Sequence, residues 1–187
     1  MAKEKKSSNK IRNWIIVITS WTFLLALILS FVSETLIVNV NLISALIILV
    51  IIIFIGVFFD LIGVAVTACP LVPLNAMAAN KIRGSREGVR LVKNADRVAS
   101  FCNDVVGDIT GIVSGAVGAT IVLRLISNNP NIEKILLSVI ITGFIASLTV
   151  GGKAIGKNIA IRNCTFIVWK SGYVISLFMY VFKKVKR

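Results

Sequence analysis

The stretch FCNDVVGDITGIVSGAVGATIVLRL, Phe101 to Leu125, decides how the chain is read. It is long and apolar enough to cross a bilayer, for which a helix needs about 20 residues, yet it carries Asp104 and Asp108 near its start. At α-helical spacing the two acids share one face, which continues through Gly111, Ser114 or Gly115, and Gly118. Lipid cannot solvate a carboxylate, so this stripe must face protein, water or a cation.

Outward from that stretch, the composition excludes a soluble domain. Of 187 residues 57% are hydrophobic, and the apolar residues run continuously rather than alternating. The fold class expected is an all-α integral membrane protein with four transmembrane helices, a cytoplasmic helical hairpin and a C-terminal interfacial helix. The net charge of +13 then reflects topology and not nucleic acid, because the positive-inside rule puts Lys and Arg on the cytoplasmic side. There is no His, and Cys69, Cys102 and Cys164 lie far apart with no CxxC spacing, which removes the common zinc, haem and disulfide patterns. The thiols are expected to pack at the membrane edge. No Ser or Cys has an evident base, and GGKAIG (Gly151 to Gly156) has the wrong spacing for a phosphate loop, so an enzyme is not expected.

Residues 1–12 are basic and are expected to form a mobile cytoplasmic tail ahead of a single membrane domain, 13–182. The first span is 14–32, retained rather than cleaved, with Trp14 and Trp21 as interfacial or packing aromatics. The connection 33–41 has Glu34 and no Lys or Arg, which suits the outer side. The second span, 42–69, changes character halfway: Leu46 to Ile55 has no polar side chain, whereas Gly56, Asp60, Gly63, Ala65 and Thr67 follow. That pattern describes a helix passing from lipid into a bundle interior.

The hairpin 70–100 carries Lys81, Arg83, Arg86, Arg90, Lys93 and Arg97 against Glu87 and Asp96, so it is placed in the cytoplasm. Within it, Leu71 to Ala79 reads as helix, Gly84 to Gly88 as a turn and Val89 to Ala99 as a short amphipathic helix. Its basic residues Lys81, Arg83, Arg86, Arg90 and Lys93 are positioned for anionic lipid headgroups. The third span, 101–125, leads to an outer turn about Pro130, and the fourth span is 135–150. The segment 164–182 is interrupted by Lys170, Ser171 and Gly172 and is followed by a basic tail, 183–187. A span there would put that tail outside, so an interfacial belt is favoured. With both termini cytoplasmic, all of the 21 Lys and Arg except Arg124, Lys134 and Lys170 fall inside. A multi-pass protein of a plasma membrane follows, with the bilayer and anionic headgroups as partners and no nucleic acid.

Asp60, Asp104 and Asp108 all fall on the cytoplasmic half, and this clustering carries the chemistry. A hard cation such as magnesium takes oxygen ligands, which carboxylates, hydroxyls and freed carbonyls supply. The candidate metal ligands are Asp60, Asp104 and Asp108 with Thr67, Ser114 and Ser147 as neutral donors, and the bound ion would be magnesium or sodium. Two plainer readings stand beside this one. Asp104 follows Asn103 at the start of a helix and could cap it. Asp60 or Asp108 could form a salt bridge with Lys153 at the foot of the fourth span.

The order of parts resembles the transmembrane domain of the cyclin-M/CorC family of magnesium transporters, over residues 45–180. There a span ending in F-S-x-S-E-T-A precedes a basic hairpin, a span opening with G-N, a span ending in G-E-x-x-P-K-x-x-A, and a membrane-hugging belt. FFDLIGVAVTA (Phe58 to Ala68) is similar to the first motif, with Asp60 and Gly63 at its polar positions. VVGDITG (Val105 to Gly111) is similar to the second, with Asp108 in place of Asn, and GGKAIGKNIA (Gly151 to Ala160) to the third. The third keeps Lys157 and Ala160 but has Gly156 for the proline and Lys153 for the glutamate. The resemblance implies membrane transport of a magnesium-like cation and a homodimer. The family's asparagine and glutamate contribute to its dehydrated magnesium site, so the departures imply an alternative: a non-transporting scaffold or subunit in which Lys153 replaces the cation by pairing with Asp108. The family's cytoplasmic regulatory module is expected to be missing, since the chain ends at Arg187.

Overall fold

The computed structural model describes residues 2–38, 41–128 and 134–185, with side chains for 16–33, 35, 41–127 and 135–180. The expected outer turn about Pro130 and the side chains of Trp14, Glu34 and the tail 183–187 lie outside the described residues. The elements are α1 (Ala2–Val38), α2 (Leu42–Ala68), α3 (Leu71–Ala79), α4 (Ser85–Lys93), α5 (Ala95–Ala99), a π-helical segment (Ser100–Gly107), α6 (Asp108–Asn128), α7 (Lys134–Arg162) and α8 (Cys164–Val185). There is no strand among the described residues. Four stretches are long and apolar enough to cross a membrane: Ile16–Ser33, Leu42–Ala68, Ala95–Ser127 and Ile135–Arg162. All-helical structure is what a bilayer demands, because a helix satisfies its backbone polar groups internally.

Three boundaries differ from the sequence expectation. Helix α1 begins at Ala2, so the residues expected as a mobile tail are helical. Helix α4 begins directly after Gly84, which is left-handed at φ 85°, and breaks at Asn94; the turn is therefore shorter than Gly84 to Gly88. Helix α7 continues past Val150 through Gly151, Gly152 and Gly156 to Arg162. Glycine pairs that read as a helix stop in water serve in a membrane helix as a close-packing face.

The chain divides into two compact units, Met1–Ile52 with Ile109–Ile145, and Ile53–Asp108 with Ala146–Arg187. In the first, α6 buries Ile109, Val113, Val117 and Ile121, a four-residue spacing that marks one helical face. Gly118 on that helix lies against the Ile145 side chain of α7. The outer half of α2 leaves Ile43, Ile47 and Val50 exposed, as a lipid-facing surface would.

In the second unit the inner half of α2 supplies a core of Ala65, Val66 and Cys69, joined by Leu74 of α3, Ala160 of α7 and Val168 of α8. The Cys69 thiol is buried in this core and donates a weak hydrogen bond to Thr165 Oγ1 at 3.8 Å, as a packing residue does. Helix α4 buries Ser85 and Gly88 and exposes Arg86, Arg90 and Lys93, an amphipathic helix with its small face inward. It crosses α8 at backbone contact. A Cβ on Gly172 would run into the Gly84 carbonyl oxygen and lie 2.6 Å from the Gly88 nitrogen. The Trp169 indole N–H donates to the Arg83 carbonyl at 3.1 Å, and the Arg83 guanidinium stands over the rings of Tyr173 and Tyr180 at 5.7 and 5.5 Å.

This contact generates a paired prediction. Gly172→Ala forces α4 and α8 apart and lowers stability by about 1–3 kcal/mol, the usual penalty for overpacking. Gly151→Ala, where a Cβ meets nothing within 4 Å, is neutral or slightly stabilising, since alanine is the better helix former. Thermal unfolding of the purified variants in detergent reads the difference.

Candidate functional site

Helix α2 and the π-helical segment meet in the second unit as two rungs, each a polar side chain opposite a glycine. Asp60 of α2 faces Gly107, whose Cβ position would lie 4.0 Å from Asp60 Oδ1. One turn further along α2, a Cβ on Gly63 would occupy the place of Asn103 Oδ1 and lie 2.8 Å from Asn103 Cγ. At Gly63 only glycine leaves the room that the Asn103 side chain fills, whereas at Gly107 a Cβ would be in ordinary contact with Asp60. Helix α7 closes the site from another side. Its Gly152 and Gly156 rest on Val57 of α2 at Cβ-to-methyl distances of 2.9 and 3.4 Å, a Gly-x-x-x-Gly face that lets two backbones approach. Lys153, next to Gly152, extends from this contact, and its ammonium donates to the Gly107 carbonyl at 3.4 Å.

The electrostatics of the site follow from burial. Asp60 is 4% exposed, and its Oδ2 is shut off from solvent with no hydrogen-bond partner. Asn103 Oδ1 is likewise buried and without a partner. An unpaired buried carboxylate costs several kcal/mol and an unpaired buried amide oxygen costs less, so each of these two acceptors calls for a donor or a positive partner. The Gly107 carbonyl adds a third oxygen.

The π-helical segment explains which residues reach this place. Its hydrogen bonds run from i to i+5, so it shifts the register that α-helical spacing assigns to residues after Ser100. Asn103 and Gly107 turn toward α2, while Asp104 and Asp108 are exposed together with Gly115. The anticipated stripe therefore splits, with Asp104, Asp108 and Gly115 exposed but Ser114 and Gly118 buried, and among the described residues Asp60, Asp104 and Asp108 do not gather as a group able to hold a metal. Asp104 is not a helix cap, since helix runs unbroken into it from Ala95. The anticipated pairing of Lys153 with Asp108 is not formed either; the ammonium rests on the Gly107 carbonyl instead.

The neutral donors are scattered. Thr67 is exposed and donates to the Val64 carbonyl at 2.9 Å, and Ser147 is exposed on α7. Ser114 is buried in the first unit and donates to the Gly111 carbonyl at 2.9 Å. A recess of about 430 Å³ in that unit is lined by Asn41, Leu42, Thr120, Leu123, Arg124, Leu125 and Ser127. Its charged lining group is a guanidinium, which repels cations. Asn103 escaped the sequence reading because it is uncharged and adjoins two conspicuous acids. Its signal was the spacing Asn103-x-x-x-Gly107, which mirrors Asp60-x-x-Gly63 across two antiparallel helices.

The two rungs predict unequal penalties. Gly63→Ala displaces Asn103 and costs about 1–3 kcal/mol, whereas Gly107→Ala meets nothing closer than the flexible end of Lys153 at 3.3 Å and costs less. Denaturation in mixed detergent and sodium dodecyl sulfate, followed by circular dichroism, ranks the two.

The profile of the cyclin M transmembrane N-terminal domain matches residues 46–186. No curated protein and no solved structure matches the chain.

Proposed function

The chain belongs to the cyclin M transmembrane domain family, a family of transporter-type membrane domains associated with divalent cation transport, and from that premise we propose that it moves a magnesium-like cation across the plasma membrane by way of Asp60. The observation that carries this reading is the buried, unpartnered Asp60 Oδ2 within a helix long enough to span. A carboxylate in that position needs a positive partner, and hard cations accept the oxygens at hand: Asp60, the Asn103 amide oxygen and the Gly107 carbonyl. Magnesium retains several waters when bound, so three protein oxygens are an adequate set.

In this reading Asp104 and Asp108, exposed on the same segment, attract cations toward the site. An exposed carboxylate in a spanning helix cannot face lipid, so a second copy of the chain covers that face as a homodimer. The basic α4 hairpin lies in the cytoplasm, where exposed Lys81, Arg83, Arg86, Arg90 and Lys93 meet anionic headgroups. Helix α8 lies along the interface rather than across the bilayer. Its apolar stretch, Cys164–Tyr180, is shorter than each of the four candidate spans, and Lys170 sits among the rings of Phe166 and Trp169 as an interfacial lysine does. Both termini are then cytoplasmic. In the non-transporting alternative Lys153 pairs with Asp108, whereas here its ammonium donates to the Gly107 carbonyl.

Reconstitution in liposomes loaded with a magnesium-sensitive dye tests the function. Wild-type protein carries magnesium inward, and Asp60→Asn reduces the flux to that of protein-free vesicles. Asp60→Asn protein that transports as fast as wild type overturns the assignment.

A further inference from the structure

Lys153 is the one ammonium at the proposed cation site among the described residues, and transport as proposed above gives it no role. Its Nζ lies 3.4 Å from the Gly107 carbonyl. The position that a Cβ on Gly107 would take has Lys153 Nζ at 3.3 Å and Asp60 Oδ1 at 4.0 Å, so ammonium and carboxylate flank the same small space, kept open by a glycine. The base of the lysine is fixed, because neighbouring Gly152 is pressed onto Val57. A lysine has a four-carbon stem with rotatable bonds and carries a compact charge with three donors. Lys153 itself is only half-buried, so the ammonium has a path out of the site, whereas Asp60, 4% exposed, has none.

We infer that Lys153 is a built-in occupant of the cation site: its ammonium balances the charge of Asp60 when no metal is bound, and it must withdraw before a metal can enter. The inference rests on the transport reading and adds its regulation. With the ammonium in place the site is close to neutral, and an arriving divalent cation meets a like charge at close range. Withdrawal of the stem exposes Asp60, Asn103 Oδ1 and the Gly107 carbonyl together. The lysine thereby lowers the resting affinity for metal while sparing the empty protein an uncompensated carboxylate inside the membrane. A permanently bare site would bind magnesium tightly and release it slowly.

Two measurements on the purified full-length protein in detergent test this: magnesium binding by calorimetry, and the thermal midpoint in magnesium-free buffer. Lys153→Met binds magnesium at least about tenfold more tightly than wild type, the order expected on removing a like charge from a cation site. Lys153→Arg, which keeps the charge, does not gain affinity. In magnesium-free buffer Lys153→Met melts below wild type, and either added magnesium or the second change Asp60→Asn restores the midpoint. Where wild type binds magnesium, a Lys153→Met variant that binds it no better, or a midpoint that Asp60→Asn fails to restore, overturns the proposal. Failure of the transport reading looks different: neither wild type nor Lys153→Met binds magnesium, while the thermal coupling of Lys153 to Asp60 persists and marks the lysine as a permanent counter-charge with no exchange.

Discussion

A carboxylate inside a membrane-spanning helix is the constraint on which the second unit of this protein depends. Asp60 cannot be solvated by lipid and is closed off from water, so the groups around it must either compensate its charge or leave room for an ion that does. The glycines of the neighbouring helices answer that demand. Gly63 and Gly107 make room for polar side chains, and Gly152 and Gly156 bring α7 onto α2 so that Lys153 starts close to the site. Replacing hydrophobic bulk with glycine weakens packing against lipid but permits backbone approach, which in a membrane supplies the van der Waals contact that holds helices together.

The π-helical segment is the second determinant. Interior turns of this kind are rare and recur at functional sites, because the wider turn strains the backbone and re-aims side chains. Here it directs Asn103 and Gly107 at α2 and leaves the flanking acids on the exposed face.

Much of this was legible in the sequence. The continuous apolar runs located the four long helices, because a stretch such as Leu46 to Ile55 has no other stable environment. Helix α3 was bounded by Pro70 at its start, and the transition within α2 from branched residues to Gly63, Ala65 and Thr67 marked where burial begins. The burial of Asp60 was legible for the same reason. The register of the third long helix was not legible, since α-helical spacing places Asp104 and Asp108 on the stripe and no residue type announces a π turn. The extension of α7 was also hidden. Gly151 and Gly152 weaken a helix in water, and only the partner surface at Val57 shows why a glycine face is kept in one here. Lys153 rests on the Gly107 carbonyl, a backbone acceptor that no residue type announces.

In the proposed mechanism Asp60 of α2, rather than the more conspicuous acids Asp104 and Asp108 of the third span, is the carboxylate that meets the cation. Infrared difference spectroscopy on the reconstituted protein, with and without magnesium, reports carboxylate coordination directly through the carboxylate stretching bands. Coordination by Asp60 produces a magnesium-induced shift that vanishes in Asp60→Asn and survives in both Asp104→Asn and Asp108→Asn. A shift that persists in Asp60→Asn and disappears in Asp108→Asn would contradict it.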